Sequence, residues 1–313
     1  MQYIESIGSA ALRGVYLAVG SFDGLHRGHR HLLEKMIQAA GEDGTPPVVL
    51  TFFPHPRTVL SPAAASPPFR YLTPLEERLA MLRALPLDAI ILQPFDLAFS
   101  KITAAQFLHT LKERMGLRSI WCGPSFSFGY QREGNVALLS EKSIALGFSL
   151  YVVPPLADPL GPISSTRIRQ ALASGDPAKA ADLLGRPYAL SGAVIHGAGR
   201  GRKMGIPTAN LDLWPELAIP AYGVYATWAV TAGRRFASVT SIGVRPTFEQ
   251  ASAPAATVET HLLDFDGDLY GSTLGVEFAA RLREEQRFPD MDALRAQMAR
   301  DIMQARRILQ EGS

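Results

Sequence analysis

The sequence is poor in cysteine, in net charge and in long apolar runs. Its single cysteine, Cys122, excludes an internal disulfide and a cysteine-based zinc site. Its 31 basic and 29 acidic residues leave a net charge of +2, which gives no reason to expect an extended nucleic-acid or membrane surface. No apolar run approaches the roughly 18 residues that a membrane-spanning helix requires. These absences favour small-molecule partners, because a small anion needs only a local cluster of donors.

The remaining composition predicts a globular protein of two domains. Hydrophobic residues make up 47% of the chain and charged residues 19%, which provides enough apolar material for two cores. A chain of 313 residues corresponds to roughly two domains of ordinary size. Residues 1–8 contain no basic segment followed by an apolar run, so we expect no signal peptide and a cytoplasmic location. Nothing in these numbers specifies an oligomeric state.

Strand and helix candidates alternate through the first half of the chain. This alternation predicts an α/β domain, in which a parallel sheet carries helices on both faces. The predicted strands are Val15–Val19, Val48–Phe53, Ala89–Leu92, Ser119–Cys122 and Ser149–Val153. The predicted helices are His29–Ala40, Pro74–Ala84 with Thr73 as N-cap, Thr103–Met115 and Val136–Leu146. Proline and small residues predict an exposed loop at Ser61–Pro68.

The pattern changes near Gly185, where we place the boundary between a domain of residues 1–185 and one of residues 186–313. Short strand candidates separated by turn residues follow, and only Met291–Leu309 has helical periodicity. This spacing predicts a small β-barrel with a terminal helix. The predicted strands are Ala189–Ile195, Gly223–Val230, Arg235–Ile242 and Val258–Phe265.

The segment Gly20–His29 (GSFDGLHRGH) is the first candidate site. It follows a predicted strand and opens a predicted helix, and a helix N-terminus offers free N–H groups to a phosphate. Its glycines allow the backbone to turn tightly beside a ligand. His26 and His29 are three residues apart and point the same way on the first turn. Two imidazoles beside backbone amides could hold a triphosphate and stabilise charge that grows on the α-phosphate.

Two other interpretations of these histidines compete with a phosphate site. A pair of solvated histidines at a helix start is the ordinary reading of such residues, but the combined strand, glycine loop and helix favour function. A zinc site of His26, His29 and His31 is disfavoured, because His31 falls on another side of the helix and no cysteine lies nearby. Neither a P-loop nor a G-x-G-x-x-G pattern occurs in the chain.

The His-x-Gly-His loop resembles that of a nucleotidyltransferase superfamily, and three further segments narrow the resemblance. These are Thr51–Pro56 (TFFPHP), Phe126–Gly129 (FSFG) and Ile163–Arg169 (ISSTRIR). Together they resemble the FMN adenylyltransferase module of bacterial bifunctional flavin-cofactor enzymes. The resemblance implies His26 and His29 as catalytic residues and a loop at Ser164–Arg169 that closes over the phosphates. It implies nucleotide contacts from Gly20, Ser21, Phe22, Asp23, Gly28, Ser164, Ser165, Thr166 and Arg167, and flavin contacts from Phe53, Pro56, Phe126 and Phe128.

Each of these residues also has a plain structural interpretation. The Ser164–Thr166 hydroxyls could serve only as a helix cap, and the aromatic residues could be ordinary core. Three positions depart from the family pattern, which usually has Asn at Ser21, Asp or Asn at Ser125, and Arg at Pro162. Pro162 removes a cation and has no N–H to donate. These departures support an alternative in which the module is weak or prefers another nucleotide.

A second candidate site lies in the other half of the chain. The segment His196–Gly205 has four glycines and three basic side chains, and such a loop can wrap phosphates with its N–H groups. Thr208 and Asn210 follow two residues apart, so in an extended segment their oxygens face one side and suit a magnesium ion. Glu259 lies in a predicted strand, where alternation places it on one face with Leu263 and Phe265. A carboxylate there could accept a proton from a substrate hydroxyl.

On the residues alone, function and plain structure are equally supported in this half. The basic loop could be a solvated hairpin, and Glu259 could pair with Arg235 or Arg245. The motifs Thr208–Asn210, Ser241–Phe248 (SIGVRPTF), Val258–Phe265 and Gly267–Gly271 (GDLYG) resemble the riboflavin kinase family, whose fold is a six-stranded barrel. The resemblance implies Thr208 and Asn210 as Mg-ATP ligands and Glu259 as the base. It further implies Gly199, Lys203 and Gly205 around the nucleotide, and Arg281, Arg283 and Phe288 near the flavin.

The combined resemblance implies two reactions and excludes neither of two alternatives. The C-terminal barrel would phosphorylate riboflavin to FMN with ATP and Mg²⁺, and the N-terminal module would join AMP from a second ATP to FMN, giving FAD and pyrophosphate. One alternative keeps the kinase but weakens the adenylyltransferase. The other is a flavin- or nucleotide-binding regulator without turnover, against which the retention of His26, His29 and Glu259 speaks.

Overall fold

The computed structural model describes residues 1–61, 68–197, 201, 205–244 and 256–311. Contacts divide the chain into two compact units, Met1–Ser165 and Thr166–Ser313. This division lies before the boundary near Gly185 that the sequence pattern predicts. Most of the predicted loop Ser61–Pro68 lies outside the described residues. In the described ranges no helix combines the length and apolarity that a membrane crossing needs.

The first unit is built on a parallel sheet of six strands. The strands are β1 (Gln2–Ile4), β2 (Tyr16–Val19), β3 (Pro47–Phe53), β4 (Ala89–Pro94), β5 (Ser119–Cys122) and β8 (Ser149–Val152). Their order is β1-β4-β3-β2-β5-β8, and every neighbouring pair is parallel. Two small antiparallel pairs complete the unit: β6 (Ser127–Phe128) with β7 (Gly134–Asn135), and β9 (Ala157–Asp158) with β10 (Gly161–Pro162).

Helices pack on both faces of this sheet, as the alternating pattern predicts. They are α1 (Arg27–Asp43), α2 (Pro56–Leu60), α3 (Leu75–Arg83), α4 (Ala104–Met115) and α5 (Val136–Leu146), with short 3₁₀ turns at Ile7–Ser9, Phe99–Lys101 and Tyr130–Arg132. Val48 and Leu50 of β3 belong to the core under α4, whereas Val49 belongs to the core under α1 and α3. Successive residues of a strand point to opposite faces, so a strand buried on both sides is apolar throughout.

One predicted helix start is wrong in detail. α3 begins at Leu75, and Pro74 rather than Thr73 occupies the N-cap position, without a side-chain cap. The Thr73 hydroxyl instead accepts a hydrogen bond from the Gly24 N–H at 3.3 Å. Gly24 belongs to a loop far from Thr73 in the sequence, so the sequence around Thr73 cannot reveal that its hydroxyl bonds there and not to α3.

The second unit is a closed antiparallel barrel preceded by two helices and followed by one. The helices are α6 (Ser165–Ala173), α7 (Pro177–Leu184) and α8 (Met291–Glu311). The strands are β11 (Tyr188–Ile195), β12 (Ala209–Asp212), β13 (Gly223–Thr231), β14 (Arg234–Val244), β15 (Ala256–Leu262) and β16 (Thr273–Arg283), closed in the order β11-β12-β15-β14-β13-β16. The six-stranded barrel and its terminal helix are confirmed.

Polar hydroxyls line part of the barrel interior. Thr227 Oγ1 lies 2.8 Å from Ser238 Oγ and 2.7 Å from Thr240 Oγ1, and Thr240 Oγ1 lies 3.0 Å from Thr260 Oγ1. All four residues are fully buried. A buried hydroxyl costs free energy unless it is hydrogen-bonded, and this chain of mutual bonds satisfies each of them.

The terminal helix α8 is fastened to the barrel by a buried ion pair. Arg283 of β16 donates from Nε and Nη2 to the Asp301 carboxylate at 2.8–3.1 Å, and Gln297 Nε2 donates to it at 2.8 Å. The Asp301 side chain is 4% exposed. Ala305 and Leu309 pack on Ala226 beside this pair. A buried pair broken on one side leaves an uncompensated charge, which is far costlier than loss of the pair as a whole.

We therefore expect Asp301→Ala to destabilise the barrel unit by about 3–5 kcal/mol. The measurement is the midpoint of its unfolding transition in calorimetry. Arg306→Ala is the matched control, because its ion pair with Asp264 is exposed and its loss should leave the midpoint nearly unchanged. Equal midpoints for the two variants would contradict the assignment of Asp301 as an anchor.

Candidate active sites

The loop between β2 and α1 has a backbone that few sequences adopt. Gly24 has φ +81°, and both Phe22 and Leu25, although not glycine, have positive φ of 48° and 35°. Such conformations cost roughly 1–3 kcal/mol each and persist where the surroundings impose them. Phe22 and Leu25 are buried in the core under α1 and α3, which holds their backbone in place. Phe22 therefore anchors the loop through its ring.

His26 and His29 stand together at the N-terminus of α1. His26 is the N-cap residue, and its Nδ1 accepts from the His29 N–H at 3.2 Å. The two rings stack with centroids 3.6 Å apart. A Cβ at Gly28 would lie 3.2 Å from the His26 ring and 3.2 Å from the Ile163 carbonyl, so the glycine permits this close packing. The structure thus brings the two predicted histidines onto one side of the helix start.

His29 is held neutral by its surroundings. Burial lowers its pKa well below the ordinary value, and the nearby His26 and Arg78 act in the same direction. Its Nδ1 atom is buried and has no hydrogen-bond partner among the described residues. A buried polar atom without a partner is costly unless a ligand supplies one. Within the described part of the chain, His29 Nδ1 therefore remains an unsatisfied polar atom beside the N-terminus of α1.

Asp23 faces the protein rather than the open side of the loop. It is 2% exposed, and its carboxylate accepts from the Leu72 N–H at 3.0 Å and from the Thr73 N–H at 3.3 Å. Its own carbonyl accepts from Ser165 Oγ at 3.0 Å. Asp23 therefore ties the loop to the segment before α3 and to the predicted second phosphate loop.

Arg78 is a site residue that the sequence reasoning missed. Its guanidinium is almost completely buried and donates to the Ser21 carbonyl at 2.7 Å and to the Phe52 carbonyl at 3.2 Å. Gly20, whose N–H donates to Leu50 at 3.1 Å, continues β2 into this network. A signal was present: a cation lies on the inward stripe that Leu75, Leu79 and Leu82 define in α3.

The predicted second phosphate loop begins beside the first. Ser164 follows the buried Ile163 and is half-buried, and Ser165 opens α6. Thr166 and Arg167 occupy the first turn of α6, beyond the division between the two units. Pro162 pairs with Ala157 across β10 and β9, where its missing N–H is tolerated in a two-stranded edge.

The predicted flavin contacts divide into accessible and buried rings. Phe53 at the end of β3 is half-buried and lies 5.9 Å from the Tyr71 ring, and Pro56 opens α2 nearby in sequence. Phe126 is half-buried and stacks on Phe128 at 5.5 Å. Phe128 itself is buried in the core beside Phe107. Phe53 and Phe126 are thus the rings that a flavin could reach, whereas Phe128 supports Phe126 from beneath.

In the barrel unit, strand register assembles the second site. Asn210 of β12 pairs with Glu259 of β15, and Glu259 pairs with Ser241 of β14 on its other side. Thr208 Oγ1 donates to Glu259 Oε2 at 3.2 Å. A side chain at Gly197 would collide with the Asn210 amide, so this glycine makes room for it. Residues paired across strands share a face, which brings all these oxygens together.

The predicted strand Val258–Phe265, which carries Glu259, extends too far at its C-terminal end. β15 ends at Leu262, and its residues Val258, Thr260 and Leu262 point into the barrel, while Glu259 lies on the outer face with Thr257 and His261. Asp264 has φ +57°, which breaks the alternation before Phe265. The suggested partner Arg235 pairs with Glu277 at 2.8 Å instead.

Part of the glycine-rich loop lies outside the described residues, including the predicted contacts Gly199 and Lys203 and the suggested ion-pair partner Arg245. Of the described part, Gly201 accepts through its carbonyl from the Ile206 N–H at 2.9 Å, and a Cβ on Gly201 would lie 3.3 Å from Thr208 Oγ1. Gly205 has φ +76°, a conformation that favours glycine. Gly201 thus lies directly against Thr208.

The two arginines of β16 that were predicted to contact the flavin bind other residues of the second unit. Arg281 Nη2 donates to the Tyr222 carbonyl at 2.6 Å, and Arg283 binds Asp301 while its guanidinium lies 5.6 Å from the Phe288 ring centre. Arg281 Nε is buried and has no partner among the described residues, so this side chain retains a donor. Arg283 therefore mainly holds α8 against the barrel through its ion pair with Asp301.

A search of the described residues finds no cluster of three His, Cys, Asp or Glu side chains that could bind a metal. The oxygens of Thr208, Asn210 and Glu259 nevertheless form a set of the hard donors that Mg²⁺ prefers, and magnesium commonly takes few protein ligands together with substrate phosphates. This donor set fits a nucleotide-bound magnesium ion.

Comparisons with known proteins match a family to each half of the chain. A family model described as FAD synthetase matches residues 9–167, and one described as riboflavin kinase matches residues 184–309. The bifunctional riboflavin kinase/FMN adenylyltransferase of Escherichia coli (strain K12) is 37% identical over 305 residues, covering 97% of this chain and 95% of that protein. The protein of the same description from Bacillus subtilis (strain 168) is 32% identical over 289 residues, covering 92% and 90%.

A solved structure has the same fold over nearly the whole length. The chain is similar to a Streptococcus pneumoniae protein described as a macrolide-efflux protein, with a TM-score of 0.88, 32% identity and coverage of 97% of this chain and 98% of that one. The description as an efflux protein belongs to the Streptococcus protein. For this chain, the similarity shows the fold. From its two matched domains and its full-length relatives, this chain belongs to the bifunctional riboflavin kinase/FMN adenylyltransferase family.

Proposed function

We propose that this chain converts riboflavin to FMN in its C-terminal barrel and FMN to FAD in its N-terminal module, consuming one ATP in each step. The observation that carries the proposal is the presence of two separate sites with different chemistry on one chain of this family. One is a stacked histidine pair at a helix N-terminus, and the other is a carboxylate within hydrogen-bond reach of a threonine. In this proposal, residues 1–185 form the adenylyltransferase module and residues 186–313 form the kinase module. The proposed location of the protein is the cytoplasm.

In the barrel, Glu259 is proposed as the base for phosphoryl transfer. The attacking group is a ribityl hydroxyl, which must lose its proton as it bonds to the γ-phosphorus of ATP. Thr208, whose hydroxyl donates to Glu259, orients the carboxylate. Thr208 and Asn210 would hold magnesium, which supplies charge neutralisation on the phosphates. Gly199, Lys203, Gly205 and the rest of the glycine-rich loop would surround the nucleotide, with Arg281 and Phe288 near the flavin.

In the N-terminal module, charge stabilisation is proposed to dominate. The FMN phosphate is already an anion, so no base is needed for its attack on the α-phosphorus of ATP. His26, His29 and the α1 N-terminus would stabilise the charge that develops there, with Gly20, Ser21, Phe22, Asp23 and Gly28 shaping the loop. Ser164, Ser165, Thr166 and Arg167 would contact the phosphates. Phe53, Pro56, Phe126 and Phe128 would form the flavin side of the site.

Three positions favour a second candidate, in which this module is weak or uses another nucleotide. Ser21, Ser125 and Pro162 replace side chains that the family pattern usually supplies, and Ser125 is exposed beside the half-buried Phe126. Incubation with riboflavin, ATP and magnesium, followed by product identification, separates the candidates. FMN followed by FAD supports the main proposal, whereas FMN alone supports the second candidate. FMN incubated with each nucleoside triphosphate then identifies any other preference.

We expect Glu259→Gln to lower kcat for FMN formation by about 10²- to 10⁴-fold, because the amide cannot accept the hydroxyl proton. The measurement is riboflavin phosphorylation at saturating ATP. Adenylylation of supplied FMN should be unchanged, which provides an internal control within the same protein. Glu277→Gln is the matched variant, since Glu277 lies in the same barrel but pairs with Arg235. Unchanged FMN formation in Glu259→Gln would remove the base assignment.

The complementary prediction concerns His29. Its replacement by alanine should lower kcat for adenylylation of FMN by about 10²- to 10³-fold, because a donor to the developing charge is lost. FAD formation from supplied FMN is the measurement, and riboflavin phosphorylation by the same sample reports on the other unit. His109→Ala is the control, because His109 is exposed on α4, where it pairs with Glu113. A rate equal to the parent enzyme would show that His29 has no catalytic part.

His29 should also make the first unit sensitive to acid. Its pKa is depressed in the folded state, whereas the unfolded chain has a histidine pKa of about 6.5. As the pH falls through that value, the unfolded state gains a proton that the folded state does not, so stability decreases. We expect His29→Gln to flatten the fall in the unfolding midpoint of this unit between about pH 7 and 5. An identical slope in parent and variant would mean that His29 has the same pKa in the folded and the unfolded states.

A further inference from the structure

Arg78 occupies a position where a cation is unusual. It shares the inward stripe of α3 with Leu75, Leu79 and Leu82, and it is 1% exposed. Arginine is almost never buried to this extent unless it is paired. Burial lowers its pKa, and the Asp23 carboxylate opposes that shift. A side chain kept here against its desolvation cost has specific partners to hold.

The partners of Arg78 are the carbonyls at the carboxyl end of the sheet. Nη1 donates to Ser21 in the loop after β2, and Nη2 donates to Phe52 near the end of β3. Thr51 Oγ1 adds a second donor to the Ser21 carbonyl at 3.2 Å. The planar guanidinium suits this task, because its donors are fixed in a fork that can hold two acceptors at once.

The bond to Ser21 also fixes the next peptide group. In a planar trans peptide the C=O and the following N–H point in opposite directions. The Ser21 carbonyl is held toward Arg78, so the Phe22 N–H is turned away from it. Phe22 itself has φ +48° and its ring lies 5.3 Å from that of His29. The guanidinium therefore sets both a backbone donor and the ring that packs against a candidate catalytic histidine.

We propose that Arg78 is a positioning residue for adenylyl transfer, holding the Ser21–Asp23 backbone in the conformation that receives the triphosphate. This proposal rests on the proposed function of the His26/His29 site. Arg78 acts through the loop and touches no substrate. Its loss should impair the geometry of the reaction more than the binding of FMN.

The test compares substitutions on one helix. Arg78→Met should lower kcat for adenylylation of FMN by about 10- to 100-fold, because misplacement of the loop by about an ångström has that effect. The KM for FMN should change by less than about threefold. Arg78→Lys keeps the charge but cannot donate to two carbonyls in the fixed geometry of a guanidinium, so its kcat should lie between that of the parent enzyme and that of Arg78→Met. Arg83→Met is the matched control on the exposed side of α3, and it should leave kcat unchanged.

Two further measurements make each outcome decisive. The folded fraction of the first unit is taken from its calorimetric transition, so kcat is expressed per folded molecule. His29→Ala is assayed in parallel: a normal rate there refutes the proposed function, whereas a low rate with normal Arg78 variants refutes only the positioning role. Should Arg78→Met not fold, Arg78→Lys carries the test. Parent kcat per folded molecule in Arg78→Lys, or an equal loss in Arg83→Met, overturns the proposal.

Discussion

The conformation of the first site depends on two opposite charges buried beneath its loop. Asp23 accepts from backbone N–H groups that precede α3, and Arg78 of α3 donates to backbone carbonyls that follow β2 and end β3. Each charge would be costly alone, but each is near the other and hydrogen-bonded to the backbone. Together they hold the backbone on either side of Phe22, whose ring is buried in the core. The loop is therefore set before any ligand arrives.

The two sites are built in different ways. The first lies where a parallel strand ends and a helix begins, the usual position for ligands in open α/β sheets. Its side chains come from the β2–α1 loop, from the start of α1 and from the end of β3, so tertiary contacts must hold them together. The second lies on the outer face of a closed barrel, where regular strand pairing places Asn210 and Ser241 on either side of Glu259. There the hydrogen bonds between paired strands hold the site residues in place, and the interior hydroxyls of Thr227 and Thr240 bond to each other across neighbouring strands.

The proposed chemistry explains why the sites differ in their titratable groups. Phosphorylation of an alcohol needs a proton acceptor, and Glu259 is an accessible carboxylate on a strand. Attack by a phosphate anion needs no acceptor, and the first site instead offers the half-buried His29, whose pKa is lowered, beside a helix N-terminus. A carboxylate does occur there, but Asp23 is turned inward to the backbone. An anion facing the ligand at that position would oppose the incoming phosphates.

The sequence by itself determined the element pattern and the two fold classes, and it predicted most of the residues proposed for the two sites, because period, glycine placement and motif order are local properties. It also contained the signal for Arg78, a cation on an apolar stripe. Only the tertiary structure decided that the Thr73 hydroxyl accepts from the Gly24 N–H and does not cap α3. It also decided that the Glu259 side chain lies on the outer face of the barrel. Both outcomes depend on partners far apart in the chain. Such pairings become accessible only when folding has closed the loops between them, and no local pattern encodes them.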